Sequence, residues 1–137
     1  MKEESLHREI LEEHARNPRF VNQLEDFTHQ AFFRSSKTGN TCQVKVKLDG
    51  GIISAASLHL EGSALANAGA SLLYSEIINQ NVDQIKDLIV QLINFLEQDT
   101  DRELPGDLCV YASIKRFPER YDCALLAWRA LAKALSD

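Results

Sequence analysis

The segment "TCQVKVKLDGGII" (residues 41–53) decides the fold of this chain. Its first half alternates apolar with polar residues, and a period of two predicts a strand with one buried face. "DGG" (residues 49–51) then supplies residues that accept positive φ in a tight hairpin turn. A second strand follows that turn. The residues predicted to face the core are Cys42, Val44, Val46 and Leu48 on the first strand and Ile52, Ala56, Leu58 and Leu60 on the second.

The segments before the hairpin predict a helix and one more strand. Apolar spacing predicts a helix from Glu3 to Arg16. Asn17 ends it, because the residue before a proline is pushed out of the helical region. "THQAFFR" (residues 28–34) is the candidate first strand, although its alternation is weak. The residues predicted on the inner face of the helix are Leu6, Ile10 and Leu11.

After Gly62 the pattern becomes helical. Ser63 is the predicted N-cap of a helix that continues through Gln80, and a second helix is predicted from Val82 to Glu97. "TDRELPGD" (residues 100–107) is a predicted loop before a short helix near residues 108–113. Pro118 is placed to begin the last helix. The predicted inward residues are Leu65, Ala68, Leu72, Leu73, Ile85, Leu88, Ile89, Leu92, Leu96, Tyr121, Leu125, Trp128 and Leu135.

These elements predict the α+β class, with an antiparallel three-stranded sheet packed on one face by helices. The 137 residues suit one domain spanning residues 1–137. A formal charge of −5 argues against a nucleic-acid partner. No apolar run is long enough to cross a membrane, and the N-terminus does not have the pattern of a signal peptide. The sequence therefore predicts a cytoplasmic protein with no membrane partner.

Three cysteines are candidates for chemistry. Cys42 shares the inward face of a strand, and Cys109 lies in a short apolar helix, so both are predicted to be structural. Cys123 follows Pro118 in the first turn of the last helix, where backbone amides favour a thiolate. Arg120 and Lys115 would add to that effect, whereas Asp122 would oppose it. Structural and functional interpretations of Cys123 both remain open.

The four histidines do not form a cluster in the sequence. His7 and His14 share a helix face but lie about 10 Å apart by helical rise, too far to hold one ion together. His29 and His59 fall on predicted strands. We expect each histidine to be solvated or locally hydrogen-bonded rather than a metal ligand.

Four segments in order carry a further signal: "LHREILEEHARNPRF", "TGNTCQVKVKLDGGII", "LEGSALANAGASLLYSEII" and "KRFPERYDCALLAWRALAKAL". Together they cover nearly the whole chain, and they resemble the U-type iron–sulfur cluster scaffold family, which comprises IscU, SufU and the N-terminal domain of NifU. The long loop before Pro118 resembles SufU more than IscU.

The resemblance implies a metal site in which this chain has a degenerate ligand set. Family members hold zinc or a [2Fe–2S] cluster with three cysteines and an aspartate. Aligning on "KLDG" places Thr38 and Asn40 where the first cysteine and the aspartate belong. Ser63 stands at the second cysteine position, and Cys123 alone keeps its thiol. Zinc or a cluster is thus expected only by family resemblance, and we expect no cofactor in the isolated chain.

The resemblance implies a divergent SufU/NifU-like protein of iron–sulfur cluster assembly that is not itself an enzyme. Its implied partner is a cysteine desulfurase or another assembly protein. That partner would bind around Arg120, Cys123 and the loops that carry Thr38 and Ser63. Two alternatives stay open: a non-metal adaptor or regulator of a desulfurase, and a sulfur carrier that uses Cys123 alone. The sequence fixes no oligomeric state.

Overall fold

The computed structural model describes the backbone of residues 2–98 and 103–136, and the side chains from residue 4 onward within those ranges. The first residues of the predicted loop at 100–107 lie outside the described part. The helices are α1 (Lys2–Arg16), α2 (Ala64–Ile77), α3 (Val82–Glu97), α4 (Tyr111–Ile114), α5 (Tyr121–Ala124) and α6 (Leu126–Leu135), with 3-10 turns at Gly106–Val110 and Pro118–Arg120. The strands are β1 (His29–Arg34), β2 (Thr41–Asp49) and β3 (Ile52–Glu61).

The strands form one antiparallel sheet in the order β1-β2-β3. Gly50 and Gly51 turn the hairpin with φ of 60° and 82°, a region that side chains rarely adopt. The sequence placed Ile52 in the core, but Ile53 is the fully buried residue. The register shifts between Lys47 and Leu48, so the extra residue on β3 moves the first inward side chain of that strand by one position. The three-stranded sheet itself is confirmed.

Helices cover one face of this sheet, which confirms the predicted α+β arrangement. Cys42, Val44 and Val46 have no exposed surface on that side. Trp128 of α6 is buried against the same core, and its indole N–H donates to the Tyr111 hydroxyl across 3.1 Å. Because each buried apolar side chain contributes roughly 1.5–3 kcal/mol, this layer supplies most of the stabilisation of the fold.

The inner face of α1 differs from the prediction. Leu6 is 55% exposed, whereas His7 and His14 are only 5% and 3% exposed. Their Nδ1 atoms lie 2.7 Å from the hydroxyls of Ser113 and Ser71, respectively. Apolar periodicity cannot show such distant polar partners, so the expectation of solvated or locally bonded histidines was wrong for these two.

Two helix boundaries also differ from the prediction. The first helix after the sheet ends at Ile77 rather than Gln80, because Asn79 adopts φ of 65° and its N–H bonds to Ile53 O at 2.7 Å. The last predicted helix is broken at Leu125, which separates α5 from α6. Its first turn from Pro118 is a 3-10 turn.

Neither outer strand presents a wholly open edge. On β3, the N–H of Leu58 donates to Val21 O at 2.9 Å, and that of Ile53 donates to Gln80 O at 3.0 Å. On β1, the Phe32 carbonyl accepts from Lys133 Nζ at 2.9 Å. Among the described residues, no helix is long and apolar enough to cross a membrane.

Candidate functional site

The end of the sheet near the start of β2 gathers the positions singled out by the sequence. Thr38 and Asn40 lie in the turn between β1 and β2, and Ser63 directly follows β3. Thr41 of β2 is paired with Glu61 of β3. Asn40, which precedes Thr41, therefore lies close to Gly62, which follows Glu61. A β-carbon on Gly62 would lie 3.0 Å from Asn40 Cγ, which shows that the Asn40 side chain packs flat on this glycine.

Asn40 also connects this turn to α5. Its Nδ2 donates a hydrogen bond to the sulfur of Cys123 at 3.4 Å, and its backbone N–H donates to Thr38 Oγ1 at 3.2 Å. Cys123 is half-buried and unpaired with any other cysteine. The structure therefore brings Thr38, Asn40 and Cys123 together.

Asp122 anchors the same turn from the other side. Its carboxylate accepts hydrogen bonds from the hydroxyls of Ser35 and Thr38, the second at 3.5 Å. Ser35 is buried, and its oxygen accepts from the backbone N–H groups of Lys37 and Thr38 at 3.2 Å each. The sequence interpretation treated Asp122 only as a charge opposing a thiolate and missed Ser35. The available signal was the serine opening a Ser-x-x-Thr-Gly turn, since serine hydroxyls commonly bond backbone amides two or three residues ahead.

Ser63 has a structural role that the sequence predicted. Its hydroxyl accepts from the N–H of Ala66 at 3.1 Å, which confirms it as the N-cap of α2. A capping hydroxyl satisfies an amide that would otherwise lack a partner. This oxygen therefore already accepts one hydrogen bond from the helix.

The surroundings expected to favour a thiolate at Cys123 are only partly present. The sulfur lies in a four-residue helix, not in the first turn of a long one. The Lys115 ammonium stands 4.3 Å from the centre of the Phe95 ring, and the Arg120 guanidinium stands 4.4 Å from that of Phe117. Both cations thus make cation–π contacts with these rings.

The donor atoms at this end of the sheet do not fit a tetrahedral zinc ion or an iron–sulfur cluster. Such sites use thiolate, imidazole and carboxylate ligands, whereas three of the four positions here carry neutral hydroxyl or amide groups. The nearby Asp122 carboxylate is engaged by two hydroxyls. Within residues 4–98 and 103–136, no three His, Cys, Asp or Glu side chains come together as a metal-binding group.

Comparisons with known proteins place the chain among relatives of similar length. It is 26% identical over 136 residues to "Zinc-dependent sulfurtransferase SufU" of Bacillus subtilis, covering 97% of this chain and 91% of the relative. It is 25% identical over 131 residues to "Iron-sulfur cluster assembly scaffold protein IscU" of Thermotoga maritima, covering 95% and 92%. One relative is thus named a sulfurtransferase and the other a scaffold.

Solved structures show the same fold. A putative SUF-system scaffold protein from Fervidobacterium islandicum AW-1 superposes with a TM-score of 0.86 at 19% identity, covering 93% of this chain and 95% of that one. A NifU-like N-terminal protein from Brucella abortus gives 0.83 at 19% identity, covering 92% and 89%. The model of the NifU-like N terminal domain family matches residues 6–137. The chain therefore belongs to the family of NifU-like N-terminal domains.

Proposed function

We propose that this protein is a divergent, SufU/NifU-like component of iron–sulfur cluster assembly that acts without the four-ligand zinc or cluster site of its family. Its family membership and its relatives support the assembly role. The observation that carries the divergent part is the hydrogen bond from Asn40 Nδ2 to Cys123 Sγ. An amide N–H is a donor and cannot coordinate a cation, so a neutral donor occupies the position of an anionic ligand.

In this role the protein serves as a docking partner in the cytoplasm rather than as an enzyme. Its partner is a cysteine desulfurase or another assembly protein, bound around Arg120 and Cys123. The exposed side chain of Phe117 stacks with Arg120 beside this region, and both groups favour protein interfaces. Asp122 and Ser35 hold the turn that carries Thr38, so the surface is ordered by the chain's own hydrogen bonds.

Metal analysis of the purified full-length protein tests the divergent part of the proposal. We expect no stoichiometric zinc or iron after expression in zinc-supplemented medium. One zinc per chain that disappears in Cys123→Ala but persists in Cys42→Ala would overturn it. Cys42 is the matched control because its thiol is buried in the core.

The assembly role has a separate test. The desulfurase of the same organism should bind the immobilised protein, and Arg120→Glu should weaken that binding while Arg16→Glu, on the exposed end of α1, should not. Absence of binding, or equal loss in both variants, would count against docking around Arg120. Binding that survives Cys123→Ala indicates an adaptor or regulator and not thiol chemistry.

The half-buried thiol of Cys123 favours a second candidate, a sulfur carrier. In this step the Cys123 thiolate attacks the outer sulfur of a desulfurase persulfide. The sulfur–sulfur bond of the donor breaks, the desulfurase cysteine leaves as a thiolate, and Cys123 becomes the persulfide. Intact-mass analysis after incubation with desulfurase and cysteine should show one added sulfur atom, which is lost in Cys123→Ala and retained in Cys42→Ala. An unmodified protein excludes this candidate.

A further inference from the structure

A cleft of about 650 Å³ lies on the face of the sheet opposite the helices, away from Cys123. Its floor is formed by β2 and β3, and its wall is the segment 22–27 that leads into β1. Sites for small molecules usually have volumes of about 300–1,000 Å³. The volume of the cleft therefore suits a small molecule. The docking and sulfur-carrier roles proposed above do not involve this face of the sheet.

Strand pairing fixes the floor of the cleft. Gln43 lies directly opposite His59, and Lys45 lies directly opposite Ser57. Directly paired residues in an antiparallel sheet project to the same face, so these four side chains form one polar array. Along β2, Gln43 and Lys45 alternate with the core-facing Val44 and Val46.

The wall is fastened to the sheet on both sides of the cleft. At one end, Val21 O accepts from the N–H of Leu58 at 2.9 Å. At the other, Asp26 forms an ion pair with Lys47 at 2.9 Å, and Thr28 Oγ1 accepts from the N–H of Leu48 at 2.9 Å. The cleft is thus preformed, which lowers the entropic cost of binding.

Ser57 contributes a hydroxyl to the floor of the cleft. This residue is only 3% exposed and lines the cleft, and its hydroxyl makes no hydrogen bond to any described residue. The hydroxyl oxygen is reached from the cleft, because it is not among the fully buried side-chain atoms of the described residues that lack a partner. A molecule in the cleft can therefore form a hydrogen bond with Ser57.

Lys45 supplies a cation opposite Ser57, in a cleft that the Glu25 side chain also lines. Its ammonium lies 4.8 Å from the centre of the Phe27 ring and forms no ion pair with a carboxylate in the described part of the chain. Lys47, two residues farther along the same face, is paired with Asp26. The cleft therefore offers a cation, a hydroxyl and an aromatic ring in one place.

We propose that this cleft binds a small organic carboxylate with hydrogen-bonding substituents, of the size of an amino acid or hydroxy acid. Lys45 binds the carboxylate, and Ser57 and Gln43 bond the polar substituents. Phe27 covers the carbon chain of the ligand. A charge-assisted hydrogen bond from an ammonium to a carboxylate is the strongest contact such a site can form.

Amide-resolved NMR titration of the full chain tests this proposal. The probes are the L-amino acids and the hydroxy acids lactate, malate and citrate, each added up to millimolar concentration. At least one probe should shift the amides of residues 22–27, 43–45 and 57–59 in a saturable manner, and leave those of α3 unchanged. Saturable shifts for none of them, or shifts spread over the whole surface, would overturn the proposal.

Lysine variants then distinguish binding at a specific site from non-specific attraction of the anionic probe to positive charge. Lys45→Met keeps the apolar stem on Phe27 but removes the charge, and it should weaken binding of the selected probe about tenfold or more. Lys86→Met, at an exposed lysine of α3 outside the cleft, is the matched control and should bind as the parent does. Equal affinity in parent and Lys45→Met, or equal weakening in both variants, would contradict the assignment. Unchanged amide shifts outside the cleft show that each variant is folded.

Discussion

Gly69 of α2 lies against the backbone of Ala124, so closely that a β-carbon on Gly69 would stand 2.7 Å from the Ala124 carbonyl oxygen. The same oxygen accepts a hydrogen bond from the buried Tyr111 hydroxyl at 2.7 Å. Ala124 and Tyr111 are both fully buried, so either can shift only by displacing its neighbours in the core. This approach sets how close α5, and with it Cys123, comes to the core.

Gly69→Ala should therefore lower the free energy of unfolding by about 1–3 kcal/mol, although alanine is the better helix former. Urea denaturation followed by circular dichroism measures this change. Ser75→Ala, at an exposed position of the same helix, is the control and should stay within about 0.5 kcal/mol of the parent. A more stable Gly69→Ala protein would show that α2 and α5 can separate freely.

The buried face of α1 gives a second prediction. His14→Ala should cost about 2–4 kcal/mol, because it empties a buried site and removes the bonds to Ser71 and to Asp107 at 3.2 Å. Leu6→Ala should cost about 0.5 kcal/mol or less, since Leu6 is largely exposed. Denaturation curves of the two variants decide the matter. A larger loss of stability in Leu6→Ala than in His14→Ala would instead support the inner helix face predicted from apolar periodicity.

Cysteine reactivity gives a third prediction. Burial raises the pKa of the Cys42 thiol to about 12, so almost no thiolate is present at neutral pH. Cys109 and Cys123 are half-buried, and both should react with iodoacetamide in the folded protein before Cys42 does. Peptide mapping by mass spectrometry should find Cys42 modified only after denaturation. Modification of Cys42 at the rate of Cys123 under native conditions would contradict its burial.

The same thiol makes stability depend on pH. The folded-state pKa of Cys42 is raised above its ordinary value of 9.0, so the unfolded chain loses this proton first as the pH rises. The contribution is present in full below about pH 9 and falls by at most about 1.4 kcal/mol per pH unit between pH 9 and 12. Cys42→Ala should lose stability less steeply than the parent in that window. Parallel curves for the two proteins would exclude this coupling.

Introducing the family's ligand types tests the prediction that Thr38, Asn40 and Ser63 stand at ligand positions. The triple variant Thr38→Cys, Asn40→Asp and Ser63→Cys should bind one zinc per chain, because it joins two more thiols and a carboxylate to Cys123. Competition with a chromophoric chelator measures the affinity. Adding Cys123→Ala to the triple variant is the control and should weaken binding strongly. A triple variant that folds but binds no zinc would show that these positions do not converge on one ion.

Much of the fold could be predicted because it depends on local alternation. The alternation of apolar and polar residues over 41–48 predicted the strand, the side chains that face the core and the burial of Cys42. The shift at Leu48 could not be predicted, since it accompanies the bonds of Ile53 to Asn79 and Gln80 beyond the next helix. A local pattern contains no information about such contacts.

The candidate site, like the fold, could be predicted from the sequence only in part. Resemblance placed Thr38, Asn40 and Cys123, and the structure brings these three together. The bond between Ser35 and Asp122 joins residues 87 positions apart, and no spacing rule suggests it. That Thr38, Asn40 and Ser63 stand at the family's ligand positions, and that this chain binds no metal there, stay predictions, which the triple variant and metal analysis test.

The partly covered edges of the sheet have a consequence for behaviour at high concentration. An uncovered strand edge is a template on which another chain can add, and this leads to aggregation. Here the loops at Val21 and Gln80 occupy one edge, and Lys133 places a charged group on the Phe32 carbonyl of the other. Growth of an intermolecular sheet on the β1 edge would first have to displace Lys133 from the Phe32 carbonyl, so we expect this lysine to slow such growth.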